Sequence, residues 1–381
     1  MVEKRGTTKI LQGNHACVEG ALLAGCQFYA GYPITPSTEI AEGMARRLPL
    51  LGGVCLQMED ELASIHAIAG AAWGGWKSMT ATSGPGFCLM QEGIGMAASQ
   101  ETPLVIVEVQ RGGPGAGQAT MPAQGDVFQI RYGSNGDYPM IALAPSTAQE
   151  YLELTIRAFN LSEQFRTPVV VVADEMASHT RESVYIPAPE EIEIINRVRP
   201  TGPKEEFQTY KPDPETLVPP MPAFNEGYNV VVTSNVHNDG GWRADGAEAA
   251  ATIQRSFAKI DRRIDYITDV ESAMMDDAEM AVISYGSPMR SAIRAVLDAR
   301  AMGLKVGWMK LRTLWPFPAK PVQEVARKVN WILVPEMNVG RMSLEVERVA
   351  HGACEVKSVP KLGGRCHTPS DILTPIKEVY R

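Results

Sequence analysis

Two apolar runs constrain the fold most: Pro103-Leu104-Val105-Ile106-Val107 and Val169-Val170-Val171-Val172, neither of which alternates with polar residues. A strand with one wet face alternates, so a run of this kind belongs to a strand buried on both faces. Parallel sheets create that environment, because their crossover helices cover both sides. From Gly13 to about Asp174 the surrounding pattern agrees. Helices are expected over Ala16–Ala24, Thr38–Arg47, Glu61–Ala72 and Phe87–Ala98, and a long one from Ser146, as N-cap, to about Ser162. Strands are expected at Phe28–Gly31, Val54–Met58, Ser78–Thr82, Leu104–Val109, Met140–Leu143 and Val169–Val172. The stretch from Pro187 to Gly227 holds nine prolines and little periodicity, which marks a linker that wraps the surface or moves. Strand and helix patterns resume at Tyr228, with a helix over Ala247–Asp265 and a last one starting near Thr368.

At 381 residues the chain is too long for one ordinary core, and 45% hydrophobic with 21% charged residues is a globular composition. The expected units are residues 1–186, a linker at 187–227, and residues 228–381. A net charge of −8 without any Lys/Arg run disfavours nucleic acid and anionic membrane as partners. Met1–Thr8 is charged and lacks the apolar core of a secretion signal, and no apolar stretch reaches the length of a membrane span, so a cytoplasmic protein is expected. Six scattered cysteines form no Cys-x-x-Cys, so no iron–sulfur or zinc motif is encoded locally.

Three stretches can carry chemistry. In Tyr32-Pro33-Ile34-Thr35-Pro36-Ser37-Thr38, two prolines bracket a hydroxyl residue. That suits either a rigid mount for Thr35 or a turn capped by Ser37 or Thr38. Glu61 opens a helix with His66 and Gly70 following, and Thr82-Ser83-Gly84-Pro85-Gly86 then turns a strand into a helix. That turn is not the dinucleotide fingerprint, since Leu89 occupies the place of the third glycine. Arg111 ends an apolar strand ahead of the small-residue run Gly112–Gly117, at a carboxyl edge where α/β sites form.

Glu61, His66, Gly70 and the Thr-Ser-Gly-Pro-Gly turn together resemble the pyrimidine-binding domain of thiamine diphosphate enzymes. The resemblance implies that Glu61 bonds the aminopyrimidine ring, with Ser83 and Gly84 as lesser contributors. No Gly-Asp-Gly, the magnesium–diphosphate motif of such enzymes, occurs in the chain, so it supplies half a site and a second polypeptide the other half. That split, with Tyr32-Pro33-Ile34-Thr35-Pro36 and Val109-Gln110-Arg111-Gly112-Gly113-Pro114, is similar to the alpha subunit of 2-oxoacid:ferredoxin oxidoreductases. Gln57-Met58-Glu59-Asp60-Glu61, Gln118 to Asp126, and Arg157 to Glu163 are similar to its 2-oxoglutarate branch.

The implied fold is α/β: a pyrimidine-binding domain, mostly parallel sheet with helices on both faces, followed by a transketolase C-terminal-like α/β domain. The implied activity is oxidative decarboxylation of 2-oxoglutarate to succinyl-CoA with reduction of ferredoxin. Thr35 would meet the substrate carboxylate region and Arg111 the carboxylate that leaves, with Tyr32, Pro33 and Ile34 against the cofactor. Thiamine diphosphate would be shared with a beta subunit. Mg2+ and [4Fe-4S] clusters would sit on partner chains, among them gamma and ferredoxin-like delta subunits, and coenzyme A would be co-substrate. Gln118 and Asp126 are candidates to orient Arg111 or the substrate, and Arg131 to reach a distal carboxylate. Asn14 is expected to cap the first helix, and His66, Trp73 and Trp76 to pack. His179, His237, His351 and His367 lack triad-like company. Asn235–Gly241 matches nothing assignable, and Arg341 stands where relatives often have glutamine. The rival readings are the same chemistry on a branched-chain 2-oxoacid, a non-catalytic assembly subunit, and a stand-alone transketolase-type synthase.

Overall fold

A computed structural model describes residues 6–233 and 235–380; most of Met1–Thr8 lies outside the described residues. The strands in chain order are β1 (Thr7–Gln12), β2 (Phe28–Gly31), β3 (Val54–Gln57), β4 (Ser78–Thr82), β5 (Leu104–Gln110), β6 (Ile141–Leu143) and β7 (Pro168–Asp174). They continue with β8 (Arg181–Ile186), β9 (Val270–Ala273), β10 (Met280–Ser284), β11 (Val306–Leu311), β12 (Thr313–Trp315), β13 (Trp331–Glu336) and β14 (Glu355–Pro360). A seven-stranded sheet in the order β12-β6-β7-β5-β4-β2-β3 is parallel except for β12, and a five-stranded sheet in the order β14-β13-β10-β11-β9 is parallel except for β9. β1 and β8 form a separate antiparallel pair.

The apolar runs lie at the centre of the larger sheet, with Leu104 opposite Pro168 and Gln110 opposite Asp174. Their successive side chains enter two different cores. Val105, Val107 and Val109 pack with Tyr29, Tyr151 and Phe159. Leu104 and Ile106 pack with Phe87, Ile94 and Trp315, in a core that continues through Ile283 and Val334 of the second sheet and Met342 of the helix Arg341–Ala350. Burial on both faces is therefore the reason the runs do not alternate.

Four early helices place the site: α1 (Gly13–Leu23), α2 (Thr38–Arg47), α3 (Glu61–Trp73) and α4 (Gly84–Leu89). The long helix Ala148–Phe165 is capped one residue later than expected, by Thr147, whose hydroxyl accepts from Glu150 N, while the Ser146 amide goes to the Glu150 carboxylate. The proline-rich stretch wraps the larger sheet's helices and is pinned by two buried arginines. Arg197 pairs with Glu163 and donates to Ala72 O, and Arg166 donates to Thr209 O, Pro219 O and Pro220 O. Of the unassigned stretch Asn235–Gly241, His237 stacks on Tyr210 at 3.6 Å and bonds Ser99 O. The helix Gly246–Asp261 docks through Arg255 and Lys259 onto Glu101, just before β5.

Candidate active site

The turns after β2, β4 and β5 and the start of α3 after β3 all lie at the carboxyl edge of the larger sheet, where α/β proteins place their ligands. Glu61 is the first residue of α3. Asp60 caps that helix by accepting from Ala63 N at 2.7 Å, which leaves Glu61 to turn inward, only 4% exposed. Burial pushes its pKa up, its own amide pulls against that, the Asp60 charge adds to the rise, and the Arg111 charge opposes it.

The floor beneath Glu61 is the Thr82–Gly86 turn. A Cβ on Gly86 would lie 2.6 Å from Glu61 Cδ and closer still to Oε1 and to Thr82 Oγ1, so only glycine lets the carboxylate lie there. Gly84 has φ +29°, in the left-handed region that favours glycine. Its amide donates to Glu108 Oε1 at 2.8 Å. Thr82 Oγ1 and Ser83 Oγ are buried without a hydrogen-bond partner among the described residues.

Arg111, 9% exposed, follows β5 and reaches under the proline-bracketed turn. Its Nη1 donates to Thr35 O at 2.6 Å and its Nη2 to Ala116 O at 2.9 Å, while Nε–H is buried without a partner among the described residues. Thr35 and Arg111 are thus brought together, but through the Thr35 carbonyl rather than its hydroxyl. The Thr35–Pro36 peptide is cis. Ser37 does not cap α2: its hydroxyl donates back to Ile34 O at 2.9 Å and tightens the turn. Asn14 does not cap α1 either. Buried, it donates to Pro36 O at 2.8 Å and to Glu39 Oε2 at 2.9 Å, tying the turn to both helices. His179 backs this tie, between Glu175 at 2.9 Å and Glu39 at 3.5 Å.

Other candidates fall elsewhere. His66 Nδ1 turns back to Leu62 O, Trp73 donates to Thr102 and stacks on Phe224, and Trp76 packs near Phe28. Arg131 donates to Tyr138 O and stacks on Tyr132, so it is committed away from Thr35 and Arg111. Gln118 closes the loop after Arg111 through backbone pairing with Gly112. Asp126 does not orient Arg111; it accepts from Gln110 and faces the Glu108 carboxyl. The same loop is pinned to the second unit by Gln124, which exchanges bonds with Met337 and donates to Tyr285 O, and by Asn338, which donates to Gln124 O. Glu108 and Gln124 are missing from the sequence-based candidates. For Glu108 a signal exists, since it is an acid inside a strand otherwise buried on both faces.

Residues 19–256 match the family described as pyruvate flavodoxin/ferredoxin oxidoreductase, thiamine diphosphate-binding, and residues 278–372 match pyruvate:ferredoxin oxidoreductase core domain II. The chain is 50% identical over 373 residues to the 2-oxoglutarate synthase subunit KorA of Methanothermobacter thermautotrophicus, covering 97% of this chain and 98% of the relative. It is 37% identical to the ketoisovalerate oxidoreductase subunit VorB of the same organism, covering 98% of each. It superimposes with a TM-score of 0.91, at 32% identity, on a solved 2-oxoglutarate:ferredoxin oxidoreductase from Magnetococcus marinus with 2-oxoglutarate, coenzyme A and succinyl-CoA bound, covering 98% of this chain and 65% of that one. Among the described residues no helix is long and apolar enough to cross a membrane.

Proposed function

The chain belongs to the 2-oxoacid:ferredoxin oxidoreductases as an alpha subunit, and from that premise we propose that it provides the pyrimidine half of a thiamine diphosphate site at which 2-oxoglutarate is oxidatively decarboxylated to succinyl-CoA, the electrons passing to ferredoxin. The observation that carries the reading is the buried Glu61 carboxyl on the Gly86 floor, beside an arginine tied to Thr35. The residues fit the cofactor: a cradle that a Cβ would fill, hydroxyls at Thr82 and Ser83 that are orphaned among the described residues, and the inward carboxyl of Glu61. Thiamine diphosphate, when bound, supplies a carbanion nucleophile and an electron sink for decarboxylation.

Glu61 would hold the aminopyrimidine ring and keep or release a proton at its carboxyl, a task suited to an acid whose pKa is raised by burial. Ser83 and Gly84 would line the ring's seat, and Tyr32, Pro33 and Ile34 the wall opposite. Arg111 would bind the carboxylate of the 2-oxoacid with its free Nε–H edge, where a guanidinium fork matches a carboxylate. The Thr35 hydroxyl would approach the same end of the substrate, and the Asn14 and Ser37 bonds fix the turn that aims it.

A beta subunit would complete the site with Mg2+ and the diphosphate half, and iron–sulfur clusters would reside there and on further gamma and delta chains. Exposed Tyr32, Leu62, Leu89 and Met121 all project from the elements that frame the site, which supports a second chain closing over it. The complex would work in the cytoplasm. The KorA relative outranks VorB in identity, 50% against 37%, which favours 2-oxoglutarate over a branched-chain acid. The test is ferredoxin reduction by the purified complex with each acid. A preference for 2-oxoglutarate is expected, and faster turnover of 2-oxoisovalerate refutes the assignment.

A further inference from the structure

Glu108 sits near the end of β5 with its side chain fully buried. Its Oε1 is accounted for by the Gly84 amide, but Oε2 meets no N–H or hydroxyl among the described residues. The group it faces is a second, half-buried carboxyl, Asp126, which accepts from Gln110 Nε2 on Oδ1 and whose charge and side chain act directly on Glu108. Two carboxyl groups hydrogen-bond only when one of them carries a proton. The other titratable or charged groups around the pair are Cys88, Tyr151 and Tyr285, none of them a cation, and Arg341, whose charge acts on Asp126. Burial and then the neighbouring Asp126 charge push the Glu108 pKa well above the carboxylate range. Asp126 is also raised by burial but is pulled back by its bonds to Glu108 and Gln110. The proton therefore belongs on Glu108, and Asp126 accepts it.

We propose that Glu108 is a neutral carboxylic acid in the folded protein, donating from Oε2 to Asp126 while Oε1 holds the Gly84 amide, and that this acid is the positioning residue that fixes the Ser83–Gly86 turn beneath Glu61. The chain of contacts runs further. Asp126 lies two residues beyond Gln124, whose bonds to Tyr285, Met337 and Asn338 fasten the loop to the second unit. One proton thus joins the turn under Glu61 to the junction between the two sheets. Glu108 touches no reacting atom; it acts through the turn. An ionised Glu108 would place a second negative charge beside Asp126 with the Glu108 side chain fully buried, and the pair would separate.

The positioning role rests on the reading of that turn as part of a thiamine diphosphate site, whereas the protonation state does not, and the test separates them. The infrared difference spectrum between the wild-type complex and Glu108→Gln, taken without cofactor at neutral pH, should contain the deuterium-sensitive carbonyl stretch of a protonated carboxylic acid. Its absence overturns the proposal. Glutamine keeps an acceptor for Gly84 and a donor for Asp126, whereas alanine keeps neither. Calorimetric titration of the complex with thiamine diphosphate and magnesium should find Glu108→Gln within about threefold of wild type and Glu108→Ala weaker by roughly tenfold or more, the scale of a lost buried hydrogen-bond partner. Equal weakening in both variants, or in neither, overturns the positioning role. A wild-type complex that binds no thiamine diphosphate overturns the functional reading instead, and the infrared result still decides the protonation state.

Discussion

Replacing Gly86 by alanine displaces Glu61 without changing its chemistry. Gly86 lies in α4 and is absent from the residues with positive φ, so alanine meets no backbone penalty there and would gain about 1 kcal/mol of helix propensity. Its Cβ, however, would lie 2.6 Å from Glu61 Cδ, against an ordinary carbon–carbon contact of about 3.5–4.0 Å. The carboxylate must therefore retreat by roughly 1 Å, a misplacement that costs on the order of a hundredfold in rate when the displaced group is catalytic. The expected outcome for Gly86→Ala in the reconstituted complex is a kcat for 2-oxoglutarate down about a hundredfold, weaker thiamine diphosphate binding, and a melting temperature within a few degrees of wild type. Steady-state ferredoxin reduction and a thermal melt measure all three. A variant with kcat within about threefold of wild type would refute the placement of Glu61 on that floor, because the overlap with Glu61, unlike the one with Thr82 Oγ1, is relieved only when the Glu61 carboxyl moves.

Arg111→Lys keeps the charge but loses the fork; kcat/KM for the 2-oxoacid should fall roughly ten- to a hundredfold, and near-normal kinetics would remove Arg111 from the substrate site. Glu101 is the sole acid in contact with Arg255 and Lys259 among the described salt bridges. Burial alone would raise its pKa, but those two cations overcome that and hold it far below its ordinary 4.5. A depressed carboxylate stabilises the fold above its unfolded pKa, and that contribution drains away as pH falls through the folded value. Glu101→Gln should therefore cost about 3–5 kcal/mol at neutral pH, since it leaves buried cations unpaired. The gap to wild type should narrow progressively below about pH 4.5 in urea titrations, and a gap constant with pH would contradict the charge pairing.

The parts of the fold legible in the sequence are those set by local burial. β5 and β7 declare themselves by unbroken apolar runs, and the proline-rich stretch by its composition. What the sequence hides depends on distant partners. β12 is three residues long and joins the larger sheet only by pairing with β6, so nothing local marks it. The helix Gly246–Asp261 has the pattern of any surface helix, and its attachment to Glu101 is decided by a contact about 150 positions away. Caps shift by a residue when a neighbour competes: Ser146 loses its place to Thr147 because the Glu150 carboxylate takes the Ser146 amide. Around the candidate site, the stretches that hold Thr35 and Arg111 stand out because prolines and glycines flank them, and Glu61 stands out from Glu59 and Asp60 by the His66 and Gly70 that follow it. Their joining through the Thr35 carbonyl rather than its hydroxyl, and the buried acid beneath the turn, depend on how the loops close over one another.

The central claim, that Glu61 is the carboxyl that activates a thiamine cofactor shared with a second chain, is met most directly by Glu61→Gln in the reconstituted complex. Glutamine fits the same space, so assembly and cofactor binding should persist, while turnover of 2-oxoglutarate falls by about 10²–10⁴-fold, the range of a lost general acid–base group. Turnover equal to that of wild type would contradict the claim and leave the chain an assembly subunit.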